Sequence, residues 1–290
     1  MAIPSISSYP LPPADSLPAN RVQWRVDPAR AVLLVHDMQD YFLRFYRHDH
    51  GADSALLNGL IDHIARLRAW ADAAGVPVVY TAQPTEQSAE ERALLNDMWG
   101  PGLTTADPAL QQVTAQLAPA PHDTVLVKWR YSAFQRSNLQ ELMRDWGRDQ
   151  LLITGVYAHI GCMTTALDAF MRDIQAFMIA DAVADFSERE HRMALDYVAG
   201  RCGAVLPTAA VLAAGAQVDI AWLRARLAPA LDDDGYGPDD NLMDYGLDSL
   251  EVMNLVTELD ALGVRLSFED LAGTPTLNAW RALLERRQAA

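Results

Sequence analysis

Up to about residue 206 the chain alternates short apolar runs with segments of helical spacing, and that alternation restricts the possible folds more than any other feature. Ala31–His36, Val76–Tyr80, Thr124–Lys128, Leu151–Val156, Phe177–Ala180 and Ala204–Leu206 read as strands. Helices are predicted over Leu57–Ala74, Leu139–Trp146, Cys162–Ile174 and Glu188–Ala199. The first carries Leu60, Ile64, Leu67 and Trp70 at three- and four-residue spacing. The apolar runs are too continuous for an antiparallel sheet with one wet face. They predict parallel βαβ units covered on both faces, hence a doubly wound parallel sheet of the α/β class. Residues 1–30 are rich in proline and read as an extended arm laid on this domain.

After Pro207 the pattern changes. The small, uncharged stretch 208–216 reads as a linker, with an Ala-rich helix end as the alternative, and separates a domain over residues 1–207 from one over 217–290. Val218–Leu231, Ser249–Leu262 and Thr276–Arg286 have helical spacing and no strand pattern follows, so the second domain is predicted to be a small all-α bundle. It carries 14 acidic against 6 basic side chains, about half the net charge of the whole chain. A net charge of −15 makes the chain a poor partner for nucleic acid or an anionic membrane. Its longest stretch free of charged side chains, Gln150–Leu167, contains too many polar residues to span a bilayer. Two cysteines without metal spacing, and an N-terminus without a signal-peptide pattern, fit a reducing cytoplasm.

Two places carry chemistry. In the second domain, Asp244-Tyr-Gly-Leu-Asp248-Ser249-Leu250 ends a loop and opens an amphipathic helix. A serine there is either a helix N-cap or a hydroxyl presented at the positive end of a helix dipole. Leu250, Met253, Val256 and Leu259 read mostly as core, with a few apolar positions near Ser249 open to a docking role that the sequence does not assign to particular residues. In the first domain, Asp37, Lys128, Tyr157 and His159 fall at the C-terminal ends of predicted parallel strands, the edge where open α/β sheets bind ligands. Lys128 stands out, because the other 22 strongly basic side chains are arginines. A compact ammonium serves where a planar guanidinium does not fit.

The Gly246-x-Asp248-Ser249-Leu250 motif, in an acidic helical module of this size, resembles the acyl and aryl carrier domains of non-ribosomal peptide synthetases. The resemblance implies 4′-phosphopantetheine attached to Ser249. His36–Phe42 (HDMQDYF), Tyr80–Pro84 (YTAQP), Ala93–Leu103 (ALLNDMWGPGL), Val125–Phe134 (VLVKWRYSAF) and Gly155–Asp173 (GVYAHIGCMTTALDAFMRD) resemble the isochorismatase branch of the cysteine-hydrolase-like superfamily. Both halves in this order are similar to the bifunctional isochorismatase/aryl carrier proteins of catechol siderophore assembly, of enterobactin or vibriobactin type.

That resemblance implies hydrolysis of the vinyl ether of isochorismate to pyruvate and 2,3-dihydro-2,3-dihydroxybenzoate. It implies Asp37 as the acid, Lys128, Gln83 and Arg92 on substrate polar groups, and Tyr157, Gly161 and Trp99 around the pocket. A cation beside Asp37 favours the carboxylate, whereas acid catalysis needs the carboxylic acid. Implied partners are a phosphopantetheinyl transferase, an enzyme that adenylates 2,3-dihydroxybenzoate or another aryl acid, and a condensation domain; a homo-oligomer stays open. The thiol hydrolases of the superfamily place their nucleophile where Gly161 stands. Cys162, one residue on, is turned by about 100° on a helix and reads as a buried apolar residue. Two alternatives remain: a carrier or scaffold with an inactive hydrolase half, and an amidase acting through Cys162. His48, Asp49 and His50 form a weak metal pattern and no metal is expected. Tyr41, Phe42, Phe45 and Tyr46 read as pocket wall, because they follow Asp37 directly, or as core, while Asp181, Asp185 and Arg201 read as structural.

Overall fold

Six strands form one parallel sheet: β1 (Ala31–His36), β2 (Val78–Ala82), β3 (Thr124–Val127), β4 (Gln150–Val156), β5 (Gln175–Ala184) and β6 (Gly203–Leu206), in the order β3-β2-β1-β4-β5-β6. The computed structural model describes the chain except residues 1–2, 4, 48–53, 216–217, 233–234, 263, 265 and 289–290. The metal pattern at His48–His50 therefore lies outside the described residues. The chain divides into two compact units, Met1–Leu212 and Ala213–Ala290.

Alternate residues of β1 feed two cores. Ala31, Leu33 and Val35 pack with the buried stripe of α2 (Ala55–Ala74), formed by Leu57, Leu60, Ile64 and Leu67. Ser54 caps α2 by accepting from the Leu57 N–H, and Gly75 ends it in the left-handed region at φ 65°. On the other face, Val32 and Leu34 pack against α5 (Leu139–Asp145), α6 (Met163–Phe170) and α7 (Glu188–Arg201) through Leu139, Met143, Ala166, Leu195 and Val198. Both faces are thus covered, and strand order reverses between β1 and β4. The crevice for a ligand belongs at that point, beyond the C-terminal strand ends.

The arm is tied down as expected: Ile6 is buried, and its N–H donates to the Phe45 carbonyl. Two expectations change. Strand β5 runs well past Phe177–Ala180, because its register shifts against β4 and Asp181 is absorbed there, accepting from the Thr208 N–H and hydroxyl. For the same reason the segment expected to be linker is not free from residue 208. Thr208–Ala213 is a short helix, α8, whose Thr208 and Val211 are buried against the sheet unit.

The second unit holds α9 (Ile220–Leu227), α10 (Ser249–Ala261), α11 (Phe268–Ala272) and α12 (Leu277–Gln288) around Leu223, Leu227, Leu255, Leu259, Leu271 and Trp280. Helix α11 has five residues, too few to show a period, and is announced only by its Ser267/Asp270 capping box. Leu259 is core as expected, but Leu250 and Met253 are not: they are 65% and 59% exposed. The buried stripe of α10 is Val252, Leu255 and Leu259, and this leaves Leu250 and Met253 facing away from the core. No described helix is long and apolar enough to cross a membrane.

Candidate functional site

Asp37 follows β1 directly, with φ at 51°. Asp tolerates this left-handed region better than most residues. Its N–H points at the Thr81 carbonyl and hydroxyl of β2. The Thr81 hydroxyl in turn donates to Asp37 Oδ1 at 2.8 Å, while Lys128 Nζ donates to Oδ2 at 2.6 Å. Lys128 follows β3, and its N–H donates to the Ala82 carbonyl of β2. Three neighbouring strand ends thus build one ion pair, with side chains 6% and 4% exposed. Charges so little hydrated interact far more strongly than surface pairs do.

The pair lies in a cavity of about 330 Å³, large enough for a small metabolite. Every site residue expected in the first unit reaches it: Asp37, Lys128, Gln83, Arg92, Trp99, Tyr157 and Gly161. Gln83 is held by its backbone, since the Gln39 side chain accepts from its N–H and donates to its carbonyl. Arg92 ends the one-turn helix α3 (Ala89–Arg92), is buried, and donates from Nε to the Gly100 carbonyl. Burial pulls its guanidinium below the ordinary arginine range. Trp99 closes α4 (Leu95–Trp99) and donates to the Tyr131 hydroxyl. The Tyr157 hydroxyl is spent on the Phe42 carbonyl, so the ring, not the hydroxyl, faces the cavity; burial keeps that phenol well above its usual range. Tyr41 and Phe42, on the one-turn helix α1 (Asp40–Leu43), and Phe45 also line the cavity, whereas Tyr46 stacks behind Tyr157.

After Tyr157 the chain makes a π-turn over Ala158–Cys162. Asp185, fully buried, accepts from the His159 backbone N–H and pairs with the His159 ring at 2.6 Å, which anchors this turn. Burial alone would lower the His159 imidazole, but the Asp185 hydrogen bond and charge hold it above its ordinary range. Cys162 is fully buried in the core beneath α6, and burial pushes its thiol well up. A buried, protonated thiol outside the cavity is no nucleophile.

Two residues that matter were assigned no role from the sequence. His36, inside the HDMQDYF segment, is buried between the Val156 and Tyr131 carbonyls. Arg44 lines the cavity mouth with its guanidinium over Tyr41 at 4.3 Å and Phe45 at 4.7 Å, and has no carboxylate partner among the described residues. The aromatic run was a signal for Arg44; nothing in the spacing signalled His36. The cavity thus gathers Arg44, Arg92, Lys128 and Arg130 against the single acid Asp37. Among the described residues, one grouping has metal-ligand spacing, Asp72, His122 and Asp123, and none of these lines the cavity.

In the second unit Ser249 is the first residue of α10 and is exposed. The cap is Asp248, which accepts from the Glu251 N–H at 2.8 Å, so the Ser249 hydroxyl is not needed to close the helix. Gly246 precedes it at φ 99°, where a Cβ would lie 2.7 Å from an Asp232 carboxylate oxygen, which explains the glycine of the motif. The exposed Leu250 flanks the hydroxyl, and Met253 lies one turn on.

Comparison with known proteins agrees with both halves. Residues 31–210 match the isochorismatase domain family, and residues 221–284 match the phosphopantetheine attachment site family. Enterobactin synthase component B of Escherichia coli K12 is 53% identical over 287 residues, 99% of each chain. An isochorismatase of Bacillus subtilis is 44% identical over 306 residues, 99% of this chain and 96% of the relative. Among solved structures, a cysteine hydrolase from Pseudomonas syringae superposes with a TM-score of 0.59 at 25% identity, covering 68% of this chain and 96% of its own. The chain belongs to the isochorismatase family and carries a phosphopantetheine-attachment domain as its second part.

Proposed function

We propose that the first unit hydrolyses the vinyl ether of isochorismate to pyruvate and 2,3-dihydro-2,3-dihydroxybenzoate. The observation that carries this reading is the Asp37–Lys128 pair, buried in a cation-rich cavity whose lining includes no thiol. Isochorismate is a dianion with an electron-rich terminal CH₂. Asp37 delivers a proton to that carbon, and the ether oxygen stabilises the resulting oxocarbenium. Water adds, and the hemiketal collapses to release pyruvate, so no enzyme nucleophile is required. Asp37 is held for this task by Thr81 on one oxygen and Lys128 on the other. Arg92 and Gln83 supply donors to the substrate's polar groups, Tyr157 and Trp99 enclose its ring, and Gly161 lines the wall beside it.

The second unit carries the activated aryl acid in the assembly of a siderophore, with Ser249 as the attachment point. Its exposed hydroxyl at a helix start, relieved of capping by Asp248, fits a group transferred by a visiting enzyme. The bound phosphopantetheine arm supplies a thiol that holds an acyl group as a thioester. The reading includes a phosphopantetheinyl transferase, an aryl-acid adenylating enzyme and a condensation domain as partners. It also includes a cytoplasmic setting, supported by two cysteines that are both free. The test is pyruvate release from isochorismate by the full chain and by Asp37→Asn. The amide cannot deliver the proton, so turnover should fall by about 10³-fold with the fold retained. Near-normal turnover in the variant removes Asp37 as the acid.

A further inference from the structure

His36 closes β1, one residue before Asp37, and its side chain is 1% exposed. Its Nδ1 lies 2.7 Å from the Val156 carbonyl and its Nε2 3.3 Å from the Tyr131 carbonyl. Val156 ends β4 and leads into Tyr157. Tyr131 lies three residues beyond Lys128. One imidazole therefore packs between two segments that line the cavity. It also fills the space beside Gly161: a Cβ built there would lie 2.1 Å from His36 Cε1 and 2.6 Å from Nε2. Such distances mean that no side chain fits at position 161 unless the ring or the turn moves by about 1 Å. Burial pulls the imidazole down to about 4, so at neutral pH it is uncharged and has one N–H for two carbonyls. Assigned to the shorter contact, that N–H lies on Nδ1, and the ring beside Asp37 is neutral, with Nδ1 3.9 Å from Oδ2.

We infer that His36 is a positioning residue whose ring, together with the missing side chain of Gly161, forms one steric unit that fixes the distance between the Asp37–Lys128 pair and the Tyr157–Gly161 wall. The inference rests on the proposed vinyl-ether hydrolysis, in which one carbon must sit in reach of the Asp37 carboxyl. A displacement of about 1 Å at such a site costs about 100-fold in turnover.

The experiment is a double-mutant cycle on the full chain with Gly161→Ala, His36→Ala and the double variant, scored by kcat and KM for pyruvate release and by thermal midpoint. Gly161→Ala should lower kcat about 100-fold, with KM changed by no more than about threefold. His36→Ala should lower kcat about tenfold, and the double variant should exceed Gly161→Ala by about tenfold, because the new methyl enters the space the ring has left. Wild-type turnover in Gly161→Ala, or a double variant equal to the product of the single effects, overturns the inference. Should Gly161→Ala not fold, His36→Gln decides: a fall in kcat at constant KM supports positioning, and unchanged kinetics overturn it. A wild-type chain that releases no pyruvate defeats the functional reading instead. The thermal midpoints of the cycle then still report whether His36 and Gly161 are one unit.

Discussion

The two units hold their functional side chains in opposite surroundings. Asp37 and Lys128 lie deep in a cavity with side chains almost fully buried, whereas Ser249 stands exposed at the tip of a helix between a capping Asp and a bare leucine. The difference teaches what each unit does with water. The first strengthens one ion pair by excluding solvent, which suits a reaction that creates charge on a small molecule. The second leaves its hydroxyl wet and reachable, which suits a residue that other proteins must modify and visit. In the first unit the sheet supplies precision, since β1, β2 and β3 each hold one end of the Asp37–Thr81–Lys128 set. In the second, a single helix start suffices.

The largest effect is expected of Ser249→Ala. Incubation with a phosphopantetheinyl transferase and coenzyme A should add one arm to the wild-type mass and none to the variant. Pyruvate release should be unchanged. Because Asp248 makes the cap, alanine at the first helical position leaves α10 intact. If hydrolysis also stops, the two sites are not independent.

Next in size is Lys128→Arg. The charge survives, but a planar guanidinium does not fit where an ammonium sits 2.6 Å from Asp37 at 4% exposure. We expect a loss of about 100-fold in kcat/KM, because the acid is displaced. Full activity would show that the chain's lone lysine is incidental.

Smaller is Arg44→Met. Methionine keeps contact with Tyr41 and Phe45 but removes the cation at the cavity mouth. One charge-assisted hydrogen bond at a partly wet site corresponds to about a tenfold rise in KM, with kcat unchanged. Steady-state rates against isochorismate concentration decide it. An unchanged KM removes Arg44 from substrate capture.

How much of this was readable depends on what each residue's signal was. Asp37 and Lys128 were legible because strand ends in a parallel sheet announce a binding edge, and because one lysine among arginines is conspicuous. Ser249 was legible as a motif, but whether it capped its helix was not, since Asp248 and Ser249 are both good caps and only the Glu251 N–H decides between them. Leu250 and Met253 were misread as core because the apolar spacing of α10 does not say which of two stripes faces inward. Thr208–Ala213 was misread because its contacts are with distant elements: Thr208 with Asp181, and Val211 with the sheet core. His36 went unassigned for the same reason. Its partners are 95 and 120 residues away, and a histidine at the end of an apolar run carries no local mark of function.

The mildest contrast between the units is their response to acid. All seven histidines lie before residue 192, so the helical unit has none. In the first unit burial pulls both His36 and His191 down to about 4, each against an ordinary value near 6.5. The unfolded chain therefore binds protons on these two rings before the folded chain does. The stability they support is present above about pH 6.5 and is lost as pH falls toward 4. Each ring costs up to about 1.4 kcal/mol per pH unit within that window. His159 works the other way: its raised value favours the folded state below the ordinary histidine range and offsets part of the loss. Two depressed rings against one raised and partly buried ring leave a net destabilisation. Between pH 6.5 and 5, where few carboxylates titrate, amide hydrogen exchange on the full chain should quicken across β1, β4, β5 and α7. The slowest amides of α10 and α12 should hold, once the intrinsic pH dependence of exchange is removed. His191→Gln should flatten the response of the first unit by about half. Equal acid sensitivity in both units would mean that the buried histidines are not what distinguishes them.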